Sequence, residues 1–298
     1  MPELPDIELY LTALRARIEG RAVERVRVGS PFFVRTYDPP AAAIEGHTVQ
    51  SLSRLGKRLV FTFDADLFVV VHLMIAGRLR WRERGAAIPA KLGLAAFDFA
   101  DGTLLFTEAG SRKQASLHVV RGAAAVAAMD PGGADVFAVT PDAFATALRS
   151  GNHTLKRMLT DPHVFSGIGN AYSDEILHAA RLSPVKLTRA LTDEEIARLY
   201  EATRTVLADW TTRLQEETGD KFPEKVTAFR PGMAVHGRYG KPCPRCGAPV
   251  QRIVHARNEA NYCAPCQTDG RLLADRALSR LLRTDWPRTL EEAERRRR

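Results

Sequence analysis

All four cysteines of the chain fall between positions 243 and 266, as Cys243-Pro-Arg-Cys246 and Cys263-Ala-Pro-Cys266. Each CxxC turn can point two thiolates at one metal, and the intervening loop can bring the pairs together around a tetrahedral zinc ion. Four thiolates leave no open coordination position, so one structural Zn2+ per chain is expected. VQRIVHA and ANYCA would form the β-hairpin that carries it. A second constellation is SGIGNAYSDEIL, residues 166–177, where Gly167 and Gly169 precede an amphipathic helix. Such a turn can aim backbone N–H groups at an anion. Asn170 adds a side-chain amide, and Lys156 and Arg157 lie just upstream. The third is the opening MPELPDIELY, with Pro2 and Glu3 entering a helical pattern. Taken alone, Pro2 and Pro5 suit a helix start, where a missing N–H costs nothing.

These residues need elements to hold them. Leu4, Ile7, Leu11, Leu14 and Ile18 are spaced for one helical face, with Gly20 as its stop. About eight short β-like runs follow as far as TLLFTEAG, with DADL and ADGT as hairpin turns, which predicts an antiparallel sandwich or barrel. MDPGGADV, residues 129–136, reads as a linker. Beyond it the pattern is helical, with Thr192 and Glu195 spaced as a capping box.

At 298 residues two domains are expected, and 45% hydrophobic content supports a real core. LFVVVHLMIAG is too short to span a bilayer and reads as a buried strand. Glu3 and Asp6 occupy the place of a basic leader, so a cytoplasmic protein with no membrane partner is expected. The net charge of +8 favours a polyanionic partner. Residues 241–298 hold thirteen Lys or Arg against seven Asp or Glu, which places the surplus around the cysteine cluster and a terminal Arg295–Arg298 run. Phosphate contacts are expected from at least two of Arg245, Arg252, Arg257, Arg271 and Arg276.

MPELPDIE, GKRLVF, SGIGNAYSDEIL and HGRYGKPCPRCG with the second CxxC occur in this order between residue 1 and about residue 267. Together they resemble the formamidopyrimidine-DNA glycosylase / endonuclease VIII family. The resemblance implies an α+β fold: an N-terminal helix plus antiparallel β-sandwich over 1–129, a helix-two-turns-helix domain over 137–222, a zinc β-hairpin over 230–270 and a basic extension over 271–298. It implies a bifunctional DNA glycosylase and AP lyase of base-excision repair, acting on damaged DNA without a small-molecule cofactor. A monomer, cytoplasmic and nucleoid-associated when bound, is the default.

In that family the initiator Met is removed and the new terminal proline is the nucleophile, which gives Pro2 a chemical reason to stand where it does. An α-amine has a reference pKa of about 8, below that of lysine. A secondary amine condensing with C1′ gives an iminium that acidifies the 2′ proton and permits β-elimination. Glu3 would donate a proton as the base departs or the sugar ring opens, which calls for burial to hold that proton. Lys57 matches the catalytic lysine beside the lesion phosphate. Lys156, Gly169, Asn170, His72 and Arg112 would contact DNA, although His72 reads equally well as a satisfied core histidine.

Three departures stand out. The family's hairpin arginine, five residues before the third cysteine, is replaced by Asn258 with Arg257 beside it, which bears on δ-elimination. The wedge methionine's place, three after the strand histidine, holds Ile75 with Met74 one earlier, and an Arg–Arg–Phe–Gly-type loop is replaced by TEAGSRKQASLH. The loop near 89–94 retains only Lys91. Two other readings follow: an AP lyase with weak or no glycosylase activity, or a non-catalytic binder of damaged DNA.

Overall fold

The computed structural model describes residues 1–110, 112–255, 258–274 and 287–295. It divides into two compact units, Met1–Gly132 with Ala208–Ala228, and Gly133–Leu207 with Phe229–Arg298.

The first unit opens on α1 (Leu4–Ile18), and all five residues spaced for one face are buried. Eight strands follow: β1 (Arg25–Val28), β2 (Val49–Leu55), β3 (Arg58–Phe63), β4 (Leu67–His72), β5 (Gly77–Arg82), β6 (Gly93–Phe99), β7 (Gly102–Glu108) and β8 (Ser116–Arg121). They form two antiparallel four-stranded sheets, β1-β6-β7-β5 and β2-β3-β4-β8. The period-2 alternation sends Leu59, Phe61, Phe63, Val69 and Val71 of one sheet and Leu79, Phe97, Leu104 and Phe106 of the other into a single core. Phe97 and Phe106 meet edge to face at 4.8 Å inside it. The β3–β4 turn carries Ala65 and Asp66 at φ +55° and +57°, the left-handed pair whose twist suits a two-residue hairpin. A short α2 (Ala123–Ala127) follows β8.

The second unit holds α3 (Pro141–Arg149), α4 (Leu155–Thr160), α5 (Asn170–Ala179) and the start of the long α6 (Asp193–Thr218). Thr140 caps α3 by accepting from Ala143 N–H. Thr192 and Glu195 form the reciprocal capping box expected at α6, at 3.0 and 3.2 Å. The turns between α4 and α5 contain Gly167 at φ +86°, a conformation that side-chain-bearing residues resist. The hairpin of β9 (Gln251–His255) and β10 (Asn258–Tyr262) and a single-turn α7 (Ala264–Gln267) complete the cysteine module, and α8 (Leu290–Arg295) lies near the end of the chain. Among the described residues no helix is long and apolar enough to cross a membrane.

Candidate active site and metal centre

Pro2 and Glu3 are buried at the foot of α1. Glu3 is the N-cap residue, and it forms a reciprocal capping box with Asp6, whose Oδ2 accepts from Glu3 N–H at 2.9 Å. Asp6 is 1% exposed, so its carboxylate serves to fix the first turn and with it the direction of the chain end. Burial drives the pKa of the Met1 amine below its usual value, with Arg78 and Lys57 adding to the effect and Glu3 and Asp6 opposing it.

Lys57 sits in the two-residue turn between β2 and β3, after Gly56 at φ +61°. Burial lowers its pKa as well, against the field of the Glu3 carboxylate. Amine, Glu3 and Lys57 therefore act on one another electrostatically. A partly desolvated amine with a depressed pKa is a nucleophile near neutrality. Tyr10 lies on the same helix, α1. It is fully buried, its hydroxyl accepts from Leu79 N–H at 3.3 Å, and burial pushes its phenol upward.

His72 ends β4, in register with Arg58 on one side and Ser116 on the other. Burial, then Arg58, Lys57 and His118, push its pKa down to about 4, so the imidazole is neutral at pH 7. The turn after it carries Met74 at φ +52°, Ile75 with 64% exposure, and Gly77, whose place a Cβ could not take without meeting Leu73 O at 2.2 Å. Arg78 braces this turn by donating to Ile75 O at 3.1 Å and Gly77 O at 2.6 Å. Of the two apolar candidates, Ile75 is the one presented to solvent.

Arg112 is exposed on the loop after β7. That loop is anchored by Glu108, 2% exposed, whose carboxylate accepts N–H bonds from Gln114 and Ala115 at 2.9–3.1 Å. Lys113 Nζ donates to the carbonyls of Glu108 and Lys91, tying the two altered loops together.

In the second unit Gly169 is the N-cap of α5 and Asn170 its first residue. Lys156 Nζ donates to Asn170 O at 2.6 Å and to Asp174 Oδ1 at 2.5 Å. The lysine, the glycine turn and the start of α5 thus form one basic corner.

The four cysteine sulfurs lie within 4.8 Å of one another, with Cys246–Cys263 at 3.3 Å and Cys243–Cys266 at 4.0 Å. Tetrahedral Zn–S bonds put sulfurs about 3.8 Å apart, so the set fits a zinc ion. Burial pushes the Cys263 and Cys266 thiols upward, and a divalent cation at the centre is what allows such sulfurs to ionise together. His178 of α5 reaches Cys243 Sγ at 3.3 Å through Nε2.

Two of the hairpin arginines have partners in the fold. Arg245 donates to His178 O of α5 at 3.1 Å, and Arg252 pairs with Glu259 at 3.4 Å while lying over the Tyr239 ring at 4.3 Å. Arg257, Arg276 and 296–298 lie outside the described residues, as does the side chain of Asn258.

The sequence reading passed over Arg78, Glu108 and Asp174, and gave Asp6 no part in positioning the chain end. Alternation along GRLRWR singles out Arg78, Arg80 and Arg82 as one face of a strand and was a usable signal. The partners of Glu108 and Asp174 carry no such periodicity.

Comparison with known proteins gives three consecutive family matches. These are the formamidopyrimidine-DNA glycosylase N-terminal domain over residues 1–115, the formamidopyrimidine-DNA glycosylase H2TH domain over 130–218, and a zinc finger found in FPG and IleRS over 240–268. The chain is 32% identical to formamidopyrimidine-DNA glycosylase of Thermus thermophilus over 279 residues, 91% of this chain and 100% of that one. It is 33% identical to that of Heliobacterium modesticaldum over 286 residues, 90% of this chain and 100% of that one. Among solved structures, Lactococcus lactis Fpg in complex with abasic-site DNA superposes with TM-score 0.78 at 25% identity, covering 89% of this chain and 99% of that one. The same enzyme with N7-benzyl-Fapy-dG DNA gives 0.79 at 26%, covering 90% and 100%.

Proposed function

Since the chain belongs to the formamidopyrimidine-DNA glycosylase family, we propose that it is a DNA glycosylase and AP lyase of base-excision repair whose nucleophile is the imino nitrogen of Pro2, exposed when Met1 is removed. The observation that carries this reading is the burial of Pro2 and Glu3 at the start of α1, directly after a Met1 amine that burial desolvates and on which Glu3 and Lys57 both act.

The nitrogen attacks C1′ of the damaged nucleotide, the N–C1′ bond forms, and the glycosidic bond breaks with the base leaving as its protonated form. Glu3, held at the helix start, gives one proton and the attacking nitrogen gives up its own, and between them these protonate the departing base and O4′ as the ring opens. The product is an iminium joining Pro2 to C1′. Its positive charge acidifies the 2′ hydrogen; loss of that proton expels the 3′ phosphate, and strand scission follows by β-elimination. Lys57 neutralises the phosphate beside the lesion and assists proton transfer. His72, neutral in the free protein, donates a hydrogen bond to the backbone.

Grip on the duplex comes from Lys156, the Gly169–Asn170 helix start and the zinc hairpin, to which Arg257 and Asn258, between the two CxxC pairs in sequence, would add. Extrusion of a base leaves a gap that must be filled. Ile75, braced by Arg78, and Arg112, on the loop held by Glu108, fill it in this chain. Zinc, when bound, supplies only shape to the hairpin. One chain carries the nucleophile, the clamp and the hairpin, which supports action as a monomer on DNA.

The test is a panel of duplexes carrying formamidopyrimidine, 8-oxoguanine, an oxidised pyrimidine or an abasic site. Release of at least one damaged base together with strand scission is expected. Scission of the abasic duplex alone would instead support the lyase-only reading, which the loss of an aromatic residue from the TEAGSRKQASLH loop favours. No scission of any substrate would leave a non-catalytic binder.

A further inference from the structure

We infer that Asp174, steadied by His236, is a positioning residue that aims the Lys156 ammonium at a DNA phosphate; this rests on the assignment of Lys156 to the phosphate clamp. The Asp174 side chain has no solvent exposure, yet both its oxygens are occupied by donors. Oδ1 accepts from Lys156 Nζ at 2.5 Å, and Oδ2 from His236 Nδ1 at 2.8 Å. An ammonium has three N–H donors. Asp174 and the Asn170 carbonyl take two of them, and the lysine is still 15% exposed, so the third points outward beside the first turn of α5. A surface lysine must give up rotamer entropy to hold one geometry. Here that ordering is complete before DNA arrives.

His236 is itself fixed. Glu175, the next residue of α5, accepts N–H bonds from Ala234, Val235 and His236 at 2.7, 2.9 and 2.9 Å. The imidazole also stacks on Phe229, with centroids 5.5 Å apart and planes 20° apart. The order of dependence is therefore Glu175 to the 234–236 backbone, His236 to Asp174, and Asp174 to Lys156. Burying an ion pair of this kind stabilises a fold little or not at all compared with apolar packing, and its best-attested use is to specify one geometry. The geometry specified here is that of a cation at a helix start.

The experiment uses the zinc-loaded full chain and a duplex with a tetrahydrofuran abasic analogue, with Kd followed by fluorescence anisotropy across a KCl series. Each phosphate contact contributes about 0.9 to the slope of log Kd against log salt. Lys156→Met is expected to lower that slope by about 0.9 and to weaken binding about tenfold at low salt. Asp174→Asn, with zinc content and melting temperature retained, is expected to do the same. In the Lys156→Met background Asp174→Asn should add nothing, because the two act on one contact. A wild-type slope in Asp174→Asn, or losses that add in the double variant, would overturn the inference, since a merely structural aspartate behaves in that way. Should Asp174→Asn not fold, Asp174→Glu keeps the charge but displaces the carboxylate by one methylene, and its slope must also fall. If Lys156→Met alone keeps the wild-type slope, the clamp assignment itself is wrong, and that single variant separates the two failures.

Discussion

Replacing Glu175 tests whether α5 and the segment leading into the cysteine module are held together as described. Its carboxylate accepts three backbone N–H bonds, two of them on Oε1 from Val235 and His236 and one on Oε2 from Ala234. Val235 and His236 are buried, at 0% and 6% exposure, while Ala234 is half-buried and within reach of water. Glu175→Ala leaves two buried amides without an acceptor, at about 1–3 kcal/mol each, so a loss of about 4 kcal/mol is expected. In Glu175→Gln the amide oxygen can keep the Val235 and His236 bonds, and its NH2 is turned toward Ala234 N–H. That places donor against donor at the half-exposed site and costs about 1 kcal/mol. Urea unfolding of the zinc-loaded protein, with released zinc followed by a colorimetric chelator, reads both effects. The Ala variant should unfold and lose zinc well before the Gln variant. Equal losses in the two variants, or a loss below about 1 kcal/mol in Glu175→Ala, would refute the reasoning.

Three further outcomes follow from the structure. The folded-state pKa of His72, about 4, lies below the ordinary 6.5, so its stabilising contribution is present above pH 6.5 and is lost as the pH falls through 4. Its size is on the order of 3 kcal/mol, and urea unfolding at pH 7 and pH 4 should show a smaller acid loss in His72→Gln than in the wild type; equal losses would contradict the assignment. Ile75→Ala should leave the melting temperature within about 2 °C, because the residue is 64% exposed, and yet slow base release from duplex lesions; unchanged single-turnover excision would remove Ile75 from the gap-filling role. Chelating zinc should abolish binding to abasic duplex while the β-sandwich retains its circular-dichroism signature, and normal binding by the metal-free protein would show that the hairpin has no part in the grip.

Local signals carried far in this chain. The apolar spacing of α1, the short β-like runs as far as TLLFTEAG, the Thr192–Glu195 box and the two CxxC turns each depend on residues a few positions apart, and each has its counterpart in the structure, whereas β8 (Ser116–Arg121) lay in a stretch read as loop. The partners that orient the chemistry are long-range. Asp174 meets His236 across sixty-two positions and Glu175 meets Ala234 across fifty-nine, and no periodicity announces either. Asp6 illustrates a different limit: its spacing from Glu3 was visible, but an acidic residue in a helix's first turn reads as a dipole effect until the hydrogen bond back to the N-cap is seen. The partners of Arg245 and Arg252 were equally invisible: charge and neighbourhood mark them as cations, while only packing shows one meeting a carbonyl and the other a carboxylate and a ring.

The central claim is that the reacting nitrogen belongs to Pro2. Incubation with abasic-site DNA in the presence of borohydride reduces any iminium to a stable amine, and peptide mass spectrometry of the product then locates the adduct. The account predicts a single adduct, on an N-terminal peptide beginning at Pro2, and no adduct in protein that carries an additional residue ahead of it. An adduct on Lys57, or on an amine of Met1 still in place, would contradict it.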